Sequence, residues 1–219
     1  MKIKLVGFDW DGTLTKTALK NSWNAINDLL GCTEQMDALE DRYYRKEFDY
    51  LEWCRLCIDM YKRFGLTEKM LRESVDRDTT LHKGALETIN ELRSRGIKVG
   101  IISGGIHNMY EYASCKFGLS VDYVTFAARL NFDKESGALV GGDYDAHDFE
   151  GKIRVLNAYL KKANATLEET LYVGDSHNDI PIFKAATGLA FSSDSEELRK
   201  NAKYVIEGDD LREILKYVT

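Results

Sequence analysis

The sequence predicts an α/β fold, a Rossmann-like doubly wound parallel sheet with a small inserted helical cap. Three observations carry that reading. A short apolar run at 3–8 breaks abruptly into Asp9-Trp10-Asp11-Gly12-Thr13, the pattern of a buried strand that ends in a polar, Gly-containing loop. From residue 84 onward, helical and strand-like runs alternate, which predicts a parallel sheet covered by helices on both faces. Between the two lies a stretch, 18–73, with helical spacing only: Trp23, Ile26, Leu29 and Leu30, then Leu51, Cys54, Ile58 and Tyr61.

Taken in order, 3–8 is the first strand and 18–73 holds roughly four helices. A helix over 85–95 stops at Gly96, a suitable C-terminal cap. The next strand, 97–102, is closed by Ser103-Gly104-Gly105 and followed by a helix. Residues 121–126 read as a strand, and 129–132 with 138–141 as a separate hairpin. A helix over 152–162 leads to the strand 170–173, ending at Gly174-Asp175. Short strands at 188–191 and 204–206 finish the series. The expected division is an α/β catalytic core of 1–16 and 81–219 and a helical cap of 17–80.

Composition narrows the function classes. A chain of 219 residues buries roughly 70% of its unfolded surface, enough for a proper core. Its formal charge of -6 argues against a nucleic-acid partner held by counterion release. No run approaches the roughly 18 apolar residues of a membrane span, and no apolar stretch follows Met1-Lys2-Ile3-Lys4 as in a signal peptide. The four cysteines, Cys32, Cys54, Cys57 and Cys115, are too few and scattered for a disulfide scaffold, so a reducing, cytoplasmic setting is expected. Oligomeric state is open.

In an open α/β sheet, ligands bind beyond the carboxyl ends of the strands. That rule gathers Asp9, Asp11 and Thr13, then Ser103 and Gly104, then Asp175 and Asp179. Carboxylates converging at one edge repel unless a cation lies between them, and an all-oxygen set favours a hard ion, Mg²⁺. Ser103-Gly104-Gly105 offers a hydroxyl and open backbone N–H groups at a helix N-terminus, which suits phosphate. Together these features point to phosphoryl transfer.

The run Asp9-Trp10-Asp11-Gly12-Thr13-Leu14-Thr15 resembles the DxDGTLT signature of haloacid dehalogenase-like phosphohydrolases. Ser103-Gly104-Gly105 is similar to the second motif of that family, Lys152 is placed for the third, and Gly174-Asp175-Ser176-His177-Asn178-Asp179 is similar to the fourth. The Ser-Gly-Gly form, the hairpin and the cap position most resemble the phosphoserine phosphatase-like branch. The resemblance implies a Mg²⁺-dependent phosphomonoesterase acting on a small phosphorylated metabolite, phosphoserine being one candidate. Asp9 would be the nucleophile, forming an aspartyl-phosphate, and Asp11 the acid and then the base. Ser103, Gly104 and Lys152 would hold phosphoryl oxygens, with Asn178 positioning the site. Asp9, Asp175 and the backbone carbonyl of Asp11 would ligate Mg²⁺, with Asp179 behind them. A phosphotransferase or a slow phosphate-accepting regulatory domain is the alternative.

Some positions leave choices open. Lys134, Lys161 and Lys162 compete with Lys152 for the phosphate role. Cys54 and Cys57 invite a redox reading, but a helical pattern makes them core thiols. His107 and His177 lie beside motifs, although loop histidines are the default. In the phosphoserine phosphatase-like branch a glutamate shortly after the first motif pairs with the substrate amine, and a cap arginine with its carboxylate. Here the first position falls near Ala18, where Thr17-Ala18-Leu19 has no acid; Arg55 lies about where the arginine is expected, or else is an exposed helix residue.

Overall fold

The computed structural model describes residues 2–16 and 21–218. In chain order, β1 (Leu5–Phe8) and β2 (Thr15–Lys16) precede four helices: α1 (Ser22–Leu30), α2 (Thr33–Tyr44), α3 (Tyr50–Arg63) and α4 (Glu68–Asp78). Then come β3 (Thr80–Leu81), α5 (Ala85–Ser94), β4 (Lys98–Ile106), α6 (His107–Phe117), β5 (Tyr123–Phe132) and β6 (Leu139–Tyr144). The chain continues through α7 (Glu150–Ala163), β7 (Thr170–Gly174), α8 (Ile180–Ala185), β8 (Thr187–Phe191), α9 (Glu196–Asn201) and β9 (Tyr204–Ile206).

Seven strands form one sheet in the order β6-β5-β4-β1-β7-β8-β9. Every neighbouring pair is parallel except β5 with β6. β1 is central because it is apolar on both faces; Leu5, Val6 and Phe8 are fully buried. It pairs with β4 on one side and β7 on the other, so the loops leaving these three strands meet at one sheet edge. That juxtaposition is what the topology contributes to function.

The first difference from the sequence reading concerns β5. Residues 121–126 and 129–132 were expected as separate strands, but one strand runs through both. Its first half lies parallel to β4, and its second half antiparallel to β6. Ala127 and Ala128 look like a break because alanine has low strand propensity, yet both are buried within the strand. Asp133 closes the β5–β6 turn by accepting hydrogen bonds from the N–H groups of Glu135 and Ser136 and from the Ser136 hydroxyl.

Between β2 and β3, α1–α4 form the helical insertion. Asn21, Asp49 and Thr67 cap α1, α3 and α4 by accepting N–H bonds with their side chains. Buried Tyr61 fastens α3 to α1 by donating to Asn27 Oδ1 at 2.7 Å. The β5–β6 hairpin grips the insertion: the Leu139 N–H donates to Leu66 O at 3.0 Å and the Glu68 N–H to Gly137 O at 2.9 Å. The short β2–β3 ribbon joins the insertion's two ends. Cys54 and Cys57 are buried in it, and burial pushes the Cys54 thiol up to about 12, so neither is a reactive thiolate. Among the described residues, no helix is long and apolar enough to cross a membrane.

Candidate active site

A cavity of about 1000 Å³ opens where the loops after β1, β4 and β7 face the helical insertion. Asp9, Asp11, Ser103, Gly104, Asp175 and Asn178 all line it. Lys152 and Asp179 lie beneath, both fully buried. The remaining member of the predicted site set, Arg55, lies elsewhere. It sits on the outer side of α3 and spends its guanidinium on Glu52 and Asp59 at 2.6 Å each. An arginine with two carboxylates in helical register has its charge matched locally, and Arg55 stands here as an exposed helix residue outside the cavity lining. Ala18, where an amine partner was sought, lies outside the described residues.

The floor is built from acids around one ammonium. Oxygens of Asp9, Asp175 and Asp179 lie within 4.8 Å of one another. Lys152 Nζ stands 3.1 Å from Asp9 Oδ1 and 2.6 Å from Asp179 Oδ1. Lys152 reaches this position from the first turn of α7, whereas Lys134, Lys161 and Lys162 are exposed. Asp179 also accepts from the N–H groups of Asp175 and Ser176, which fixes the β7 loop. Thr13 donates to Asp175 Oδ1 at 2.8 Å, tying the first motif to the last. Gly12 makes that contact possible: its φ is +82°, and a Cβ there would lie 2.2 Å from Asp175 Oδ2.

Burial dominates the acid–base behaviour of the floor. Desolvation holds the Asp9 carboxyl well above its usual range, against the pull of Lys152, with Asp179, Asp175 and Asp11 adding to the rise. Desolvation also pushes Asp175 up to about 7, with Asp179 contributing. Asp11 is raised to about 6 by burial, offset in part by hydrogen bonds from Ser22.

An all-oxygen pocket of this kind fits a hard divalent cation, which needs the carboxylates ionised. Burial raises all three carboxyls in the metal-free fold, and their contribution to stability is lost as pH rises above ordinary carboxylate values, through about 6 for Asp11 and about 7 for Asp175. The increase in Tm on adding Mg²⁺ is therefore expected to be larger at pH 7 than at pH 5. Thermal melts with Mg²⁺ or EDTA check this, and equal gains at both pH values would contradict it.

The anion side differs in detail from the sequence reading. Ser103-Gly104-Gly105 was expected to close a strand and open a helix, but β4 continues through Ile106 and α6 starts at His107. One of the expected open N–H groups has a partner, since Gly105 donates to Ser103 Oγ at 3.0 Å, and the next N–H along, that of Ile106, donates to Ser22 Oγ at 3.2 Å. Ser22, which sequence reasoning missed, is fully buried at the start of α1. Its hydroxyl donates to Asp11 Oδ2 at 2.8 Å, and its N–H to the same oxygen at 3.1 Å. One serine of the insertion thus orients Asp11 and touches the second motif. Asn178 donates to Asp148 Oδ1 at 2.9 Å. Asp148 was also missed; burial raises its carboxyl, and it packs so closely on Gly104 that a Cβ there would lie 2.5 Å from its carboxyl carbon. His177 and His82 line the cavity, whereas His107 pairs with Glu111 at 3.4 Å.

Comparison with known proteins agrees with this arrangement. The chain is 32% identical over 225 residues to the phosphoserine phosphatase of Methanocaldococcus jannaschii, covering 99% of this chain and 98% of that protein. Among solved structures, a substrate-bound phosphoserine phosphatase complex superposes with a TM-score of 0.79 at 29% identity, with both chains covered in full. A phospho-aspartyl intermediate analogue of phosphoserine phosphatase gives 0.77 at 29%, again with full coverage. The sequence pattern described as haloacid dehalogenase-like hydrolase matches residues 3–187, a span that contains every acid of the cavity floor. With the motifs in order on a matching fold, this chain belongs to the haloacid dehalogenase-like hydrolase family.

Proposed function

We propose that this protein is a Mg²⁺-dependent phosphatase that hydrolyses a small phosphorylated metabolite through an aspartyl-phosphate on Asp9. The observation that carries the reading is the floor itself: Asp9, Asp175 and Asp179 oxygens within 4.8 Å, with Lys152 Nζ 3.1 Å from Asp9. Their donor set suits Mg²⁺, with Asp9, Asp175 and the Asp11 carbonyl holding it and Asp179 supporting them. The bound ion supplies charge neutralisation, so that a carboxylate can approach a phosphate dianion.

An Asp9 oxygen attacks phosphorus, and a new O–P bond forms as the bond to the leaving oxygen breaks. The departing electron pair stays on that oxygen, which takes the Asp11 proton. Asp11 then accepts a proton from water, whose oxygen attacks phosphorus and releases the Asp9 carboxylate with inorganic phosphate. An acid raised to about 6, held by Ser22, suits both halves. The Ser103 hydroxyl and the Lys152 ammonium hold the transferring oxygens, and Asn178 orients that side. The segment 17–80 acts as a cap that excludes water and restricts entry to small substrates. A cytoplasmic setting accords with such substrates. Release of phosphate from p-nitrophenyl phosphate, dependent on Mg²⁺ and abolished by EDTA, is the expected result; equal turnover with EDTA would overturn the metal-dependent reading.

A further inference from the structure

The wall facing the acidic floor is aromatic. Trp23, Tyr43, Tyr44, Tyr50 and Trp53 line it, drawn from α1, α2 and α3. Their rings touch in series, with centroids 4.9 Å apart for Trp23 and Trp53, 5.7 Å for Tyr50 and Trp53, and 6.0 Å for Tyr43 and Trp53. The wall stands directly on the second motif: Trp23 Nε1 donates to Gly104 O at 2.9 Å and the Tyr50 hydroxyl to the same carbonyl at 3.3 Å. Asp148 meets it from the other side, packed against Gly104. Its Oδ1 accepts from Asn178 and from the Phe149 N–H, while its Oδ2 takes no hydrogen bond from any described residue. Glu40, which accepts from the Tyr44 hydroxyl at 3.4 Å, also lines the cavity. Lys16, the one lysine in the described lining, is bound to Asp209 at 3.0 Å.

Aromatic faces beside a carboxylate attract an organic cation and offer little to an anionic group. Because the wall bonds to Gly104, a group joined to the phosphate by a short linker falls against it. Resting on the phosphatase reading above, we propose that the substrate is a phosphomonoester whose alcohol carries an alkylated ammonium, held between the Trp23–Trp53–Tyr50 wall and Asp148. A phosphate ester whose alcohol bears a carboxylate is then the poorer substrate, since Arg55 is engaged with Glu52 and Asp59.

The test compares kcat/KM for choline phosphate, for its neutral carbon isostere neohexyl phosphate, and for phosphoserine, with p-nitrophenyl phosphate as a generic reference. Choline phosphate is expected to exceed the isostere by about tenfold or more. Trp53→Leu and Asp148→Asn should each collapse that ratio, whereas Trp53→Phe should preserve most of it. Merely structural damage would lower all substrates together and leave the ratio intact, which would overturn the assignment. Equal rates on choline phosphate and its isostere, or a preference for phosphoserine, would overturn it too. Binding separates the two claims: choline should quench the tryptophan fluorescence and neohexyl alcohol should not. If no phosphate ester is hydrolysed but choline still quenches, the cation pocket stands and the phosphatase reading fails. If p-nitrophenyl phosphate is hydrolysed but choline does not quench, the reverse holds.

Discussion

Replacing Asp9 by asparagine is expected to lower turnover of every phosphomonoester by about a thousandfold or more while leaving the fold intact. An amide has nearly the carboxylate's size, but its oxygen is too weak a nucleophile to displace an alkoxide. Stability should not suffer in the metal-free protein. Asp9 is desolvated and crowded by Asp179, Asp175 and Asp11, so its charge is already disfavoured there. Asp9→Asn should therefore melt at or above the wild-type temperature in EDTA and gain less from Mg²⁺ than wild type does. A variant retaining a tenth of the wild-type rate would show that phosphorus is attacked by some other group.

Lys152→Met should strike both activity and stability. Methionine matches the volume of the lysine stem but removes the ammonium from between Asp9 at 3.1 Å and Asp179 at 2.6 Å. Losing one partner of a buried ion pair costs roughly 3–5 kcal/mol, because the remaining charge is left uncompensated. Here Asp179 loses its cation at 2.6 Å while oxygens of Asp9 and Asp175 stay within 4.8 Å of it. A loss of that size is expected in urea unfolding at pH 7 with EDTA. It should shrink at lower pH, where the raised carboxyls of Asp9 and Asp175 protonate, and shrink with Mg²⁺, which restores positive charge. Activity should fall by about a hundredfold or more even with Mg²⁺, since a transferring oxygen loses its charged donor. Unfolding unchanged in EDTA would mean that the ammonium does not hold the acids together.

Much of this site is legible in the sequence because its chemistry is local. Asp9 and Asp11 share one loop after one strand, and Asp175 and Asp179 share another, so placing two strands places four acids. The third motif is a single lysine, which the resemblance places at Lys152 and whose burial in the fold separates it from the exposed Lys134, Lys161 and Lys162. What escapes the sequence depends on contacts across the chain. Ser22 touches Asp11 because α1 docks on the sheet edge, and Asp148 touches Gly104 because α7 begins beside β4. Neither partner has a spacing signature. The aromatic wall escapes for another reason: Trp23, Tyr50 and Trp53 have the same helical periodicity as core residues, and nothing local separates a ring that packs inward from one that lines a cavity. Arg55 shows the converse, since a helix position predicts a face but not which neighbour takes the charge.

The most direct measurement is chemical trapping on Asp9. Enzyme mixed with Mg²⁺ and a fast-leaving phosphate ester, quenched in acid and digested, should yield a peptide containing Asp9 with the mass of one added phosphoryl group. Borohydride should reduce that acyl phosphate and mark Asp9 as a homoserine. Phosphate released in a full first turnover with no labelled aspartate, or the label on another side chain, would contradict the account.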